Sequence, residues 1–219
     1  MRRVRFVLFI ALLVVCALRL ATCARPEIPV SANSGMAIPM SANPGMGVTL
    51  RRVTTDYPVT GASVGALRMS IATRARLAAD RTMYGGFTAW DLNWRYATSR
   101  SAPGGCRPSG VTVYLDLSTR YPVWEDSSAA PAPVRDEWNR YVTALKVHEG
   151  NHAAIAINGA NRLASELRDL VSPICSSLQS DAQGLVNKAV RSIRAQNDQY
   201  DERTQHGATE GASLRDRIP

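Results

Sequence analysis

Two stretches in the first half of the chain alternate apolar and polar residues. Trp90, Leu92, Trp94 and Tyr96 alternate with Asp91, Asn93 and Arg95. Val111, Val113, Leu115 and Leu117 alternate with Thr112, Tyr114, Asp116 and Ser118. A period of two sends every second side chain to the same face, so each stretch reads as a strand with one buried face. Val48 to Val59 adds one or two further strands, and Leu67 to Ala79 reads as a helix between them. The turn Ala102-Pro103-Gly104-Gly105 predicts antiparallel pairing of the two clear strands.

The period then changes. Pro131 and Pro133 precede Asp136-Glu137, a helix start. Trp138, Tyr141, Val142, Leu145, Ala156, Gly159, Leu163, Leu167 and Leu170 follow with helical spacing until Pro173. A second helix runs from about Asp181 to Tyr200, with Leu185, Ala189, Ile193 and Tyr200 on one face. Strands first and helices afterwards predict an α+β domain: an N-terminal antiparallel sheet, a long helix and a second, C-terminal helix.

This domain spans residues 48–210, and residues 211–219 read as a disordered tail. The preceding segments differ in kind. Arg2, Arg3 and Arg5 form a basic start, Phe6 to Leu18 is an apolar run of 13 residues, and small residues follow at Ala21, Thr22 and Ala24. Residues 1–24 therefore read as a secretory signal peptide, the apolar run being short of the roughly 20 residues that span a bilayer. Leu20-Ala21-Thr22-Cys23 also resembles a lipidation box with Cys23 as the modified residue, although Thr22 is atypical before that Cys. Residues 25–47 are a flexible linker in which Ile28 to Met36 recurs as Ile38 to Met46, rich in Pro, Gly, Ser and Asn.

Compartment and charge follow from this layout. The leader holds four Arg and no acid, so its removal lowers the net charge from +8 to +4. No concentrated basic run remains, which argues against nucleic acid as a partner. The mature chain keeps Cys106 and Cys175, and a single Cys pair in an exported protein points to a disulfide. A periplasmic or secreted location is expected, with membrane attachment only through a lipidated Cys23 or an uncleaved leader.

The candidate chemistry lies in the long helix. His148-Glu149-Gly150-Asn151-His152 reads H-E-x-x-H. Imidazoles four residues apart share one helix face, about 6 Å apart along the axis. They can chelate one zinc, and the intervening carboxylate can act as general base on its water. These residues occupy positions that the apolar stripe should own between Leu145 and Ala156, and burying them without partners costs several kcal/mol. A bound zinc resolves that conflict.

The third ligand is sought further on. Ile155 and Asn158 replace the Gly and His of the extended metzincin pattern. Glu166 stands 14 residues past His152, about 21 Å along a continuous helix and out of reach. His206 is the one His left in the chain, and an antiparallel return of the second helix carries it back towards the pair. Asp201 is placed as a hydrogen-bond acceptor for a ligand His, and Tyr200 as a stabiliser of a developing oxyanion. Gly150 costs about 1 kcal/mol in a helix interior and leaves room for close approach.

These residues together resemble a bacterial family of predicted secreted zinc-dependent proteases (domain of unknown function nine-two-two). The resemblance covers roughly residues 50–210. It rests on Tyr57-Pro58-Val59-Thr60-Gly61, Thr88-Ala89-Trp90-Asp91-Leu92-Asn93-Trp94, Cys106, Tyr121-Pro122-Val123-Trp124, Trp138, the His148–His152 string, Cys175, and Tyr200-Asp201 with Thr204, His206 and Gly207. It implies an extracytoplasmic zincin-like metallopeptidase acting on a peptide or protein of the cell envelope. It supports zinc roles for His148, Glu149 and His152 and strengthens His206. Two other readings stand beside it: a non-catalytic envelope protein with a structural metal or none, and a cell-wall amide hydrolase using the same chemistry.

Overall fold

The helical stripe of the second half folds as one 38-residue helix, and the rest of the domain is arranged along it. A computed structural model describes residues 47–75, 85–101 and 105–215. The elements are β1 (Val48–Val59), α1 (Val64–Arg74), β2 (Phe87–Ser101), β3 (Gly105–Trp124), α2 (Ala132–Asp169) and α3 (Leu178–Thr204). Single 3-10 turns lie at Ser127–Ala129, Cys175–Ser177 and Ala208–Glu210. The leader, Cys23, nearly all of the linker, the tip of the 102–105 turn and residues 216–219 lie outside the described residues.

The α+β class is as expected, but the sheet is mixed rather than antiparallel. β2 and β3 form the predicted hairpin, in register from Ser101 opposite Gly105 to Phe87 opposite Arg120, with a bulge between Arg95 and Ala97. β1 joins the other side of β3 in parallel, Val48 opposite Val113 and Val59 opposite Trp124. The order is β1-β3-β2. Alternation along a strand specifies its faces and says nothing of its neighbour. Only the hairpin turn carried pairing information, and β1 has no such turn to β3. Helix α1, capped by the Ser63 hydroxyl on the Ala66 N–H, ends at Arg74 because Ala75 turns extended. Residues 76–79 of the expected helix are not among those described.

Two apolar clusters divide α2 between them. Its first half places Trp138, Tyr141 and Leu145 against α1 (Val64, Leu67, Ile71) and the ends of β1 and β3 (Tyr57, Val59, Trp124). Its second half places Ala156, Ala160, Leu163 and Leu167 between Val113, Leu115 and Leu117 of β3 and Ala182, Val186 and Ile193 of α3. Along its 20 residues the buried positions of β3 are even at Cys106 and Pro108, odd at Val113, Leu115 and Leu117, and even again at Pro122 and Trp124. Cumulative twist turns a strand of that length far enough to serve both clusters. His148, Glu149 and His152 fall at the seam, after Leu145 of one cluster and before Ala153 of the other.

Helix α3 returns antiparallel along α2. Lys188 pairs with Glu166 at 3.0 Å, and Asn197 meets His152 at 2.6 Å. Gly159 sets the closeness of this contact, since a Cβ there would stand 2.3 Å from Ile193 Cγ1. The turn between the helices is pinned to the sheet. Cys106 and Ser172 exchange backbone hydrogen bonds of 2.9 and 2.8 Å, and the expected Cys106–Cys175 disulfide is formed across a separation of 69 residues. Closing a loop of that size contributes about 4 kcal/mol in the chain-entropy model.

Residues 211–215, expected to lie in a disordered tail, are described and ordered. They are fixed to the first half of α2. The Arg140 guanidinium donates to the carbonyls of Gly211 (2.7 Å) and Ser213 (2.6 Å). The buried Glu137 carboxylate accepts from Arg140, from the Arg215 guanidinium and from the Arg215 N–H. Leu214 is buried in the α1 cluster, with Arg68 donating to its carbonyl. An apolar residue and two cation partners hold a segment whose polar composition suggests a free end.

Two measurements check this packing. Gly159→Ala gains up to about 1 kcal/mol of helix propensity but forces α3 away, an overpacking cost of about 1–3 kcal/mol. The variant should unfold at lower denaturant than wild type. Gly184→Ala, in α3 with nothing within 4 Å of a Cβ, should unfold later, by about 0.5–1 kcal/mol. Glu137 supplies a pH signature. Hydrogen bonds from Arg140 hold its carboxyl far below the usual carboxylate range despite burial, and Arg215 adds to them. A depressed folded pKa stabilises above the unfolded value of about 4.3 and is lost as pH falls below it. Urea titrations across that window should show a stability loss on acidification that is smaller in Glu137→Gln.

Candidate metal centre

Helix geometry puts His148 and His152 side by side, and α3 supplies the rest. The His148 and His152 Nε2 atoms are 3.2 Å apart. Asp201 Oδ1 lies 3.0 Å from His152 Nε2 and 3.3 Å from His148 Nε2. His148, His152 and Asp201 thus each offer one ligand atom to a common point. Ligand atoms about 2.1 Å from a tetrahedral zinc stand about 3.4 Å from one another, and this triangle is of that size. The donor set of two imidazoles and one carboxylate also suits zinc.

The second nitrogen of each imidazole determines what the first can do. His148 Nδ1 lies 3.0 Å from Glu210 Oε2 and must donate to it, because a carboxylate only accepts. His152 Nδ1 lies 2.6 Å from Asn197 Oδ1. Asn197 Nδ2 donates to the Ile193 carbonyl at 2.8 Å, which fixes the amide orientation and makes Oδ1 an acceptor. With both Nδ1 atoms protonated, both neutral rings present a lone pair at Nε2. These lone pairs face each other and a carboxylate oxygen, an arrangement that repels itself unless a proton or a metal ion sits between.

The titration behaviour reflects the same crowding. Burial draws both imidazoles down. Hydrogen bonds that the imidazoles donate to Asp201 outweigh it, with Glu210 helping His148 and Asn197 helping His152, so both stay above the ordinary His value. Burial pushes Asp201 up, but the two imidazoles hold it far below the usual carboxylate range. Glu149 goes the other way. Burial raises its pKa, and the Thr88 hydroxyl and the imidazoles only partly offset that. A buried carboxylate with a raised pKa is suited to accept a proton near neutral pH.

Glu149 is held from the sheet. The Thr88 hydroxyl at the start of β2 donates to Glu149 Oε2 at 2.7 Å. Gly86 packs on the other oxygen: a Cβ there would stand 2.7 Å from Glu149 Oε1. Tyr121 lies near this carboxylate, and burial together with the Glu149 charge pushes its phenol up to about 12.

The remaining expected residues take other places. Asp201, expected to support a ligand, itself closes the triangle with the two Nε2 atoms. His206, expected as the third ligand, lies beside it, Nδ1 3.7 Å from Asp201 Oδ1, with its side chain 42% exposed. It follows the end of α3 on a left-handed turn, one step outside the face that carries Asp201. Tyr200 stacks on the His148 ring at 4.9 Å. Its hydroxyl accepts from Asn151 and donates to Glu210, so it lies on the Nδ1 side of His148. Gly150 is exposed, with nothing near it. Thr88, Asn197 and Glu210 were given no role from the sequence. Asn197 was the findable one, an amide one helical turn before Asp201 on a face pointing at the HExxH helix.

No curated protein and no solved structure matches the chain. The family described as "Bacterial protein of unknown function (DUF922)" matches residues 54–207, a span that holds α1, β2, β3, α2, α3 and the residues His148, His152 and Asp201. The chain therefore belongs to this DUF922 family.

Proposed function

We propose that the domain is an exported zinc-dependent peptidase. The observation that carries this reading is the convergence of three acceptor atoms within 3.3 Å, beside a buried carboxylate that is not one of them. His148, His152 and Asp201 would hold the metal, and Glu149 would remain free for proton transfer. Zinc, when bound, lowers the pKa of water and polarises a carbonyl. The fixed Nδ1 donors keep both imidazoles in the ligating tautomer. Thr88 occupies Glu149 Oε2 and orients the carboxylate. Oε1 is then the atom that takes the proton from the attacking water and returns it to the leaving amine. His206 sits at the rim of the site beside Asp201.

The substrate on this reading is a peptide or protein of the cell envelope. The Cys106–Cys175 disulfide is consistent with an oxidising, extracytoplasmic location. Among the described residues no helix is long and apolar enough to cross a membrane.

Zinc titration and a peptide-library assay together test the reading. Glu149→Gln should bind zinc as wild type does and lose about 10²–10⁴-fold in turnover. Turnover undiminished in this variant removes Glu149 from the mechanism. Asp201→Asn should weaken zinc beyond the roughly 10–100-fold that a hydrogen-bonding partner of a ligand commands, and His206→Ala should weaken it less than that. The reverse ranking would make His206 the ligand. Peptidoglycan fragments assayed in parallel separate cell-wall amide cleavage from proteolysis.

A further inference from the structure

The segment Gly207–Arg215 lies almost wholly beyond the family match at 54–207, yet it reaches the metal centre. We infer that it is a strap that positions His148, with Glu210 as the contact and the Glu137–Arg140 pair as its anchor. This inference rests on the zinc reading above.

Three observations carry it. Glu210 Oε2 accepts from His148 Nδ1 at 3.0 Å and from the Tyr200 hydroxyl at 2.7 Å, the same Tyr whose ring stacks on His148. One carboxylate oxygen therefore fixes both the ring and the plate behind it. Gly207 lies against that ring at φ +80, where a Cβ would stand 2.9 Å from His148 Cγ. Gln205 and His206 before it also adopt the left-handed conformation without being glycine (φ 49 and 53). Such positions are strained and persist only where the surroundings enforce them. Here they turn the chain back from the end of α3 so that Glu210 meets His148.

The far end of the strap is fixed more firmly than the near end. Arg140 holds the Gly211 and Ser213 carbonyls, Glu137 holds the Arg215 N–H and guanidinium, and Leu214 is buried among α1 and α2 side chains. Glu210 itself stands on a three-residue 3-10 turn. The α1 side of the domain, which contributes no ligand, thereby bears on the orientation of one.

Zinc affinity of the full chain, measured by chelator competition, tests the inference. Glu210→Ala should bind zinc about 10–100-fold more weakly than wild type. Glu210→Gln should recover part of the loss, because its amide oxygen still accepts from Nδ1. In zinc-loaded protein the Nδ1 proton of His148 should exchange with solvent faster in Glu210→Ala, while that of His152, bound by Asn197, stays as in wild type. A merely structural defect would move both. Arg215→Ala, at an exposed anchor position, should weaken zinc in the same direction and decides the matter if Glu210→Ala does not fold. Wild-type zinc affinity in both variants, or equal change at the two imidazoles, overturns the strap. A wild-type chain that takes up no zinc overturns the zinc reading itself, and the strap with it.

Discussion

Two imidazole lone pairs and a carboxylate oxygen face one another at about 3 Å, and the organisation of the domain follows from holding them there. None of the three has a hydrogen to offer the others while each Nδ1–H donates to Asn197 or Glu210. A cation between them converts mutual repulsion into ligation. A proton can bridge one edge of the triangle, whereas a divalent ion satisfies all three. The raised imidazoles and the depressed Asp201 are what this geometry looks like when protons alone are available.

Holding three such groups together requires rigid elements on more than one side. Two of the three facing atoms come from α2 and one from α3, so their triangle depends on how closely the helices pack. Gly159 sets that distance at Ile193, and the Cys106–Cys175 disulfide fixes the turn where α2 gives way to α3. The sheet contributes through Thr88, which reaches Glu149 from the first residues of β2. Placing the site at the seam of two apolar clusters surrounds it with low-dielectric walls while leaving an opening, since His152 is only partly buried and Asp201 more exposed. That environment strengthens each electrostatic contact within it.

Much of this was legible in the chain. The strands at Trp90–Tyr96 and Val111–Leu117 and both long helices follow from period alone, because burial on one side imposes that period. The polar cluster was legible for the opposite reason: His148, Glu149 and His152 break an apolar stripe where no apolar face tolerates them. What could not be read is what depends on pairing at a distance. The parallel register of β1 leaves no local mark. The choice between Asp201 and His206 turns on which of two residues five positions apart faces inward, and the helix ends between them. Glu210 belongs to a segment whose polar composition reads as solvent-exposed, whereas Leu214 and the Arg140 and Glu137 contacts hold it to the domain.

The left-handed pair Gln205 and His206 sets stability against accuracy at one bend. Glycine would relax the backbone there and raise the stability of the fold. It would also widen the range of directions in which the chain can leave α3. A bend built from residues with side chains is costlier and stiffer, so a stabilising substitution at this position would loosen the aim of everything beyond it.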